Sequence, residues 1–189
     1  SIGMAAQPAM KNLRLGNAPS LSPDGKRIAD GFNGKIWVMD ANGYNAETLI
    51  SDGDSWSPAF SPDGKSLAYV NGVRGKYELW VTDLSSRDTW QITDFAAYSV
   101  GSPCWSKDGS HILLTRSQAD ESNVVQVLAS TDTPVADADM ITHDQGSASA
   151  VFSPTYNRIL FSSQRGVNGS WRLVSADPTG ADPKVLSEE

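Results

Sequence analysis

Histidine, cysteine and grouped carboxylates are the residues that would carry chemistry, and this chain of 189 residues has two histidines and one cysteine. His111 stands directly before the apolar Ile112, where a solvent-facing strand residue is expected, and His143 lies beside Asp144 and Gln145 in a polar connection. Two such histidines do not make a ligand set, so neither a metal nor a cofactor is expected. Cys104 has no second cysteine to bridge to and no histidine aligned with it, which makes it a small packing residue rather than a nucleophile. Asp40, Asp83, Asp132 and Asp177 recur along the chain, but a calcium loop needs several oxygens and a closing Glu within one short segment. Asp40-Ala41-Asn42-Gly43 has the composition of a turn instead. No Gly-x-Ser-x-Gly elbow occurs, so a hydrolase nucleophile is absent. The chemistry left is recognition. Arg74, Lys76 and Tyr77, then Arg116 and Asp120, then Arg165 and Asn168 stand in polar stretches between apolar segments, with Asp54, Tyr98 and His143 nearby in the order of elements. Cationic groups gathered on a chain of net charge -7 suit a carboxylate or an acidic peptide.

The elements that must position these residues come from a repeat. Ser22-Pro23-Asp24-Gly25-Lys26 returns as Ser61-Pro62-Asp63-Gly64-Lys65, then as Ser106-Lys107-Asp108-Gly109-Ser110 and Ser153-Pro154-Thr155-Tyr156-Asn157, with starts 39, 45 and 47 residues apart. That period matches four short strands and their turns, the content of one propeller blade. Before each Ser stands a large apolar residue, Leu21, Phe60, Trp105 or Phe152, preceded by a smaller one, which is the two-residue alternation of a strand. Six residues after each Ser, Ile28, Leu67, Ile112 or Ile159 opens a second strand, and in the first repeat this strand meets Asp30. A third strand is predicted to end at Asp40, Asp83, Asp132 and Asp177, each nine residues before Leu49, Ile92, Ile141 or Leu186 of a fourth. Strands are therefore expected near Pro19–Leu21, Arg27–Ala29, Ile36–Met39 and Glu47–Ile50 and at the corresponding places downstream. The fold class is all-β: a propeller of four blades, each of four antiparallel strands, with blades over 17–54, 55–98, 99–147 and 148–189.

The distance from Ile28, Leu67, Ile112 or Ile159 to the following aspartate is 12, 16, 20 or 18 residues, so length variation is expected in the loops between second and third strands. In a propeller those loops and the links between blades emerge on one face, and the recurring turns on the other. Variable loops on a fixed frame are where a scaffold usually places function. The candidate binding face is accordingly Arg74, Lys76, Tyr77, Arg116, Asp120, Arg165, Asn168 and His143.

Pro58-Ala59-Phe60-Ser61-Pro62-Asp63-Gly64-Lys65, Ile36-Trp37-Val38-Met39-Asp40-Ala41-Asn42-Gly43 and Phe161-Ser162-Ser163-Gln164-Arg165-Gly166 resemble the TolB-like β-propeller repeat over about Asn17 to Leu186. The resemblance implies a non-catalytic scaffold that binds a protein or acidic small ligand in the periplasm or outside the cell. It equally covers propellers that accompany the catalytic unit of a hydrolase or resemble a polysaccharide lyase. A lyase of that kind needs several metal ligands, where this chain has only its two histidines. The single cysteine leaves the cytoplasm open on the residues alone.

Composition narrows the partners. With 15 basic against 22 acidic side chains, the surface repels a phosphate backbone, which excludes nucleic acid. No apolar run approaches the roughly 18 residues of a membrane span. Residues 1–16 are expected to be an N-terminal segment whose apolar stretch Met10 to Leu15 forms the outer strand of a preceding blade. Four repeats plus that strand do not close a ring, so missing blades or a homodimer of two half rings is expected.

Overall fold

The computed structural model describes residues 18–73, 75–164 and 169–187. They form four four-stranded antiparallel sheets, each a meander. Blade 1 holds β1 (Ser20–Leu21), β2 (Arg27–Phe32), β3 (Lys35–Asp40) and β4 (Glu47–Ile50). Blade 2 holds β5 (Asp54–Phe60), β6 (Ser66–Val73), β7 (Lys76–Asp83) and β8 (Thr89–Gln91). Blade 3 holds β9 (Ser99–Trp105), β10 (His111–Gln118), β11 (Glu121–Leu128) and β12 (Asp139–Met140). Blade 4 holds β13 (Ser147–Phe152), β14 (Ile159–Ser163), β15 (Arg172–Ala176) and β16 (Lys184–Val185). The Met10 to Leu15 strand expected from the sequence lies outside the described residues.

The turn between first and second strands is built by its own side chains. In blade 1, Ser22 Oγ donates to Asp24 Oδ1 (2.6 Å) while the amides of Lys26 and Arg27 donate to Asp24 Oδ1 and Ser22 Oγ. Ser61 with Asp63 and Ser106 with Asp108 repeat the network. Blade 4 has Thr155 at the aspartate position, and there Ser153 Oγ accepts from the amides of Thr155 and Tyr156. The turn before the fourth strand is an Asx turn in blades 2 and 4: Asp83 accepts from the Ser85 hydroxyl and the amides of Ser85 and Ser86, and Asp177 from Thr179 and Ala181.

These bonds hold the carboxyls below their ordinary range. Asp83 titrates at about 2, chiefly through the Ser85 hydroxyl, and the hydroxyls of Ser22, Ser61 and Ser106 lower Asp24, Asp63 and Asp108. A carboxyl lowered in the folded state contributes stability that is complete above its ordinary value of about 4 and is lost as pH falls through its folded value. The melting temperature is therefore expected to drop between about pH 4 and 2. Asp83→Ala should be less stable at neutral pH but lose less on acidification; an unchanged acid profile in that variant would remove Asp83 from the account.

Two sequence expectations are corrected by the register. In blade 3 the residue opposite His111, where Asp40 faces Arg27 and Asp83 faces Ser66, is Leu128 and not Asp132. Asp132 lies beyond the strand, in the long connection from β11 to β12. The loops between second and third strands are also not variable in blades 1 to 3: β2–β3 and β10–β11 each turn over two residues, 33–34 and 119–120, and at the tip of β6–β7 Val73 pairs with Lys76. The added length is in the hairpin arms, six residues in blade 1 and eight in blades 2 and 3. Asn33 and Gly34, with φ of 53° and 72°, close the first hairpin as a tight turn of the kind Asn-Gly favours.

Blade-on-blade packing forms the core. Ala29, Ile36 and Val38 of blade 1 meet Phe60, Leu67 and Tyr69 of blade 2. Ala68, Leu79, Val81 and Ile92 meet Ile112, Leu114, Val125 and Val127 of blade 3. Leu113, Val124 and Ile141 meet Ile159, Phe161, Val174 and Ala176 of blade 4. Each fully buried Leu, Ile or Val stabilises by about 2 kcal/mol, well above an exposed ion pair such as Arg87–Glu47, so this packing holds the blades in sequence. Asp30 lies fully buried opposite Trp37 on the side of blade 1 turned away from blade 2. No helix of the described residues is long and apolar enough to cross a membrane.

Candidate binding face

The hairpin tips and the blade links come out at one end of the sheets, as Ser55 shows by donating its amide to Gly34 O across blades 1 and 2. In blade 2, Val73 pairs with Lys76 at the tip and Gly72 with Asp54 at the start of the inner strand. Tyr77 donates its hydroxyl to Asp54 (3.2 Å) and meets the Trp56 ring edge-on at 6.1 Å. Gly72 is needed beneath it, because a Cβ there would stand 2.6 Å from the Tyr77 ring. Lys76 is exposed and pairs with Asp94 at 3.6 Å.

The link between blades 2 and 3 is clamped from both sides. Glu78 is buried, and its carboxylate accepts from Thr93 Oγ1 (2.5 Å) and the Phe95 amide (2.8 Å). Burial pushes that carboxyl up, against the Thr93 and Phe95 hydrogen bonds that lower it. From blade 3, the Arg116 guanidinium lies 4.4 Å from the Tyr98 ring centroid and 5.5 Å from that of Phe95, and it donates to Asp137 (3.2 Å) and Met140 Sδ (2.9 Å). Its side chain is only 13% exposed, so Arg116 organises the face instead of reaching out from it. In the next link Asp144 accepts from Ser147 (2.7 Å) and Ser163 (2.6 Å), leaving the neighbouring His143 exposed. Asp120 is exposed at the third hairpin tip. Arg74, Arg165 and Asn168 lie outside the described residues.

The fold places Lys76, Tyr77, Arg116, Asp120 and His143 at the end of the blades where hairpin tips and links emerge, and joins Tyr77 to Asp54 and Arg116 to Tyr98. Sequence reasoning missed Glu78, Asp144 and a hydroxyl that ends the outer strand. Thr93, Thr142 and Ser187 each accept the amide of the neighbouring third strand, from Leu79, Val124 and Leu173, where a backbone carbonyl would otherwise serve. The signal was present, since a Ser or Thr directly follows Ile92, Ile141 and Leu186, and in the first repeat Ser51 comes one residue later, after Ile50.

Toward the propeller axis, the inner strands surround a cavity of about 470 Å³ lined by Ser57, Pro58, Ser102, Pro103, Ser149 and their neighbours. Ala18, Ser57, Ser102 and Ser149 occupy the same place in each repeat, and all have positive φ, between 49° and 65°. In blades 2 to 4 this coincides with a register shift between first and second strands, a bulge that bends each inner strand around the cavity. Cys104 lies among these residues, and burial raises its thiol, which argues against a reactive thiolate.

The blades match known proteins. The model of the TolB beta propeller domain matches residues 31–186. Among curated relatives, the uncharacterized peptidase YuxL of Bacillus subtilis is 28% identical over 118 residues, covering 56% of this chain and 18% of that protein. The Tol-Pal system protein TolB of Alcanivorax borkumensis is 30% identical over 86 residues, covering 44% of this chain and 20% of the relative. The chain thus spans about a fifth of the length of these relatives. The crystal structure of TolB from Acinetobacter baumannii superposes with a TM-score of 0.69 at 26% identity, over 90% of this chain and 41% of that one. A family match across most of the chain, on sheets that form four consecutive blades, places this protein in the TolB β-propeller domain family.

Proposed function

We propose that the chain is part of a non-catalytic propeller that holds a protein partner, or an acidic small ligand, against the end of the blades carrying Lys76, Tyr98 and His143. The observation that carries this reading is the bracing of that end. Tyr77, Arg116 and the link from Thr93 to Tyr98 are fixed by hydrogen bonds and ring contacts, so aromatic and cationic groups are presented with little rotamer freedom left to lose on binding. Likeness to Tol-Pal system proteins supports a protein partner and a periplasmic setting. The likeness to a peptidase supports a second reading, in which the blades accompany a hydrolase unit encoded elsewhere in the same protein.

An array of acidic peptides presented to the purified chain should yield binders that lose at least about tenfold in affinity when Arg74, Lys76 and Arg165 are reversed to Glu, with melting unchanged. Asp40→Ala and Asp83→Ala should lower stability and leave affinity intact. Binding that survives the triple reversal, or that disappears in a folded Asp83→Ala protein, would overturn this assignment of the face.

A further inference from the structure

The opposite end of the blades, where the Ser-Pro-Asp-Gly turns emerge, holds a groove that the repeat itself makes conspicuous. Between blades 1 and 2 the turns nest: a Cβ on Gly64 would stand 3.5 Å from the Pro23 ring. Arg27 fills the space beneath, with its guanidinium 5.3 Å from the Phe60 centroid and donating to Gly64 O at 3.1 Å. Between blades 2 and 3, Pro62 nests against Gly109 at the same 3.5 Å, and the larger Trp105 takes the place of Phe60, donating its Nε1 to Ala59 O at 2.9 Å. Between blades 3 and 4 three of these positions change. Lys107 stands for the proline, Tyr156 for the glycine, His111 for Arg27, and Phe152 is no larger than Phe60. The result is an open groove of about 740 Å³.

Its lining changes character along with its shape. Lys107 and Asn157 are exposed and make no ion pair among the described residues, and Tyr156 is 72% exposed. The His111 ring holds Ser110 Oγ through Nδ1 at 2.7 Å, which aims Nε2 elsewhere. Arg158 is committed to Ser175 and Asp182, and Asp108 to its own turn, so neither answers a ligand. The groups left to recognise a ligand include one full positive charge, at Lys107, set against the rings of Phe152 and Tyr156.

We propose that this groove is a second recognition site, independent of the loop face, for a peptide segment of a protein partner in which an Asp or Glu side chain neighbours an aromatic or large apolar one. The carboxylate would meet Lys107, beside the His111 ring, and the apolar side chain would cover Phe152, as Arg27 covers Phe60 in blade 1.

The test uses three capped dipeptides, acetyl-Phe-Asp-amide, acetyl-Phe-Asn-amide and acetyl-Phe-Lys-amide, titrated into the whole chain with amide chemical shifts as the readout. The expected result is saturable shifts centred on Lys107, His111 and Tyr156 for the Asp peptide, with at least about tenfold weaker binding of the other two. Lys107→Pro restores the residue of the other three turns, and His111→Arg restores the filler of blade 1. Both should leave melting unchanged and weaken the Asp peptide at least about tenfold. Equal binding of the Asn peptide, preference for the Lys peptide, shifts confined to the loop face, or full affinity in the two variants would each overturn the proposal. Acetate alone producing the same shifts at the same concentration would reduce the site to an anion site without the apolar half.

Discussion

Gly180→Ala is expected to destabilise the protein by about 3 kcal/mol, and Gly43→Ala by only about 1 kcal/mol. Both glycines close an Asp-x-x-Gly turn, with φ of 84° and 83°, so both substitutions carry the cost of a left-handed backbone on an L residue. They differ in what the new methyl meets. At Gly43 nothing lies within 4 Å, whereas at Gly180 the Cβ would stand 2.0 Å from the Ile141 carbonyl oxygen and 3.3 Å from its Cγ2. The turn of blade 4 rests on the end of blade 3, and the clash is with backbone, which cannot swing aside as a side chain can. Denaturant unfolding of the two variants measures the difference. Equal losses would mean that the two blades do not touch there.

The second large effect concerns blade 4's outward face. Leu160, Leu173 and Leu186 occupy the positions of Leu113, Val124 and Ile141 in blade 3, where the next blade buries them to 6% exposure or less. In blade 4, Leu173 is 44% and Leu186 52% exposed, with Trp171 and Val185 close by in sequence at 53% and 54%. An apolar sheet face of this kind favours association. The 189-residue chain by itself is expected to form dimers or larger species at micromolar concentration, and Leu173→Glu with Leu186→Glu should return it to a monomer without unfolding it. A wild-type monomer in light scattering would show that this face is tolerated bare, and with it both the missing-blade and the two-copy expectations would lose their physical basis.

How much of this was legible in the sequence follows from how local each interaction is. The Ser-Pro-Asp-Gly turns close through bonds spanning two to five residues, and the strands through two-residue alternation, so the blades could be read from the letters in order. Asp132 shows the limit. Its nine-residue offset to Ile141 copies the other repeats, yet the register puts Leu128 in the aspartate's place, because pairing is decided by which side chains bury across the sheet and not by spacing along one strand.

On the loop face, the sequence determined which residues lie at that end of the blades; only the tertiary structure decided what each does there. Arg116 was a candidate contact and is a brace, because Phe95 and Tyr98 of the blade link, Asp137 of the β11–β12 connection and Met140 of β12 meet its guanidinium from 18 to 24 residues away. Glu78 was unremarked because its partners, Thr93 and Phe95, stand 15 and 17 residues on. The groove between blades 3 and 4 was likewise written in the repeat as Lys107, His111 and Tyr156, three departures from a pattern. That they open one space follows from the stacking of neighbouring blades, which brings residues about 45 apart into contact and leaves a gap wherever their combined side chains are too small to fill it.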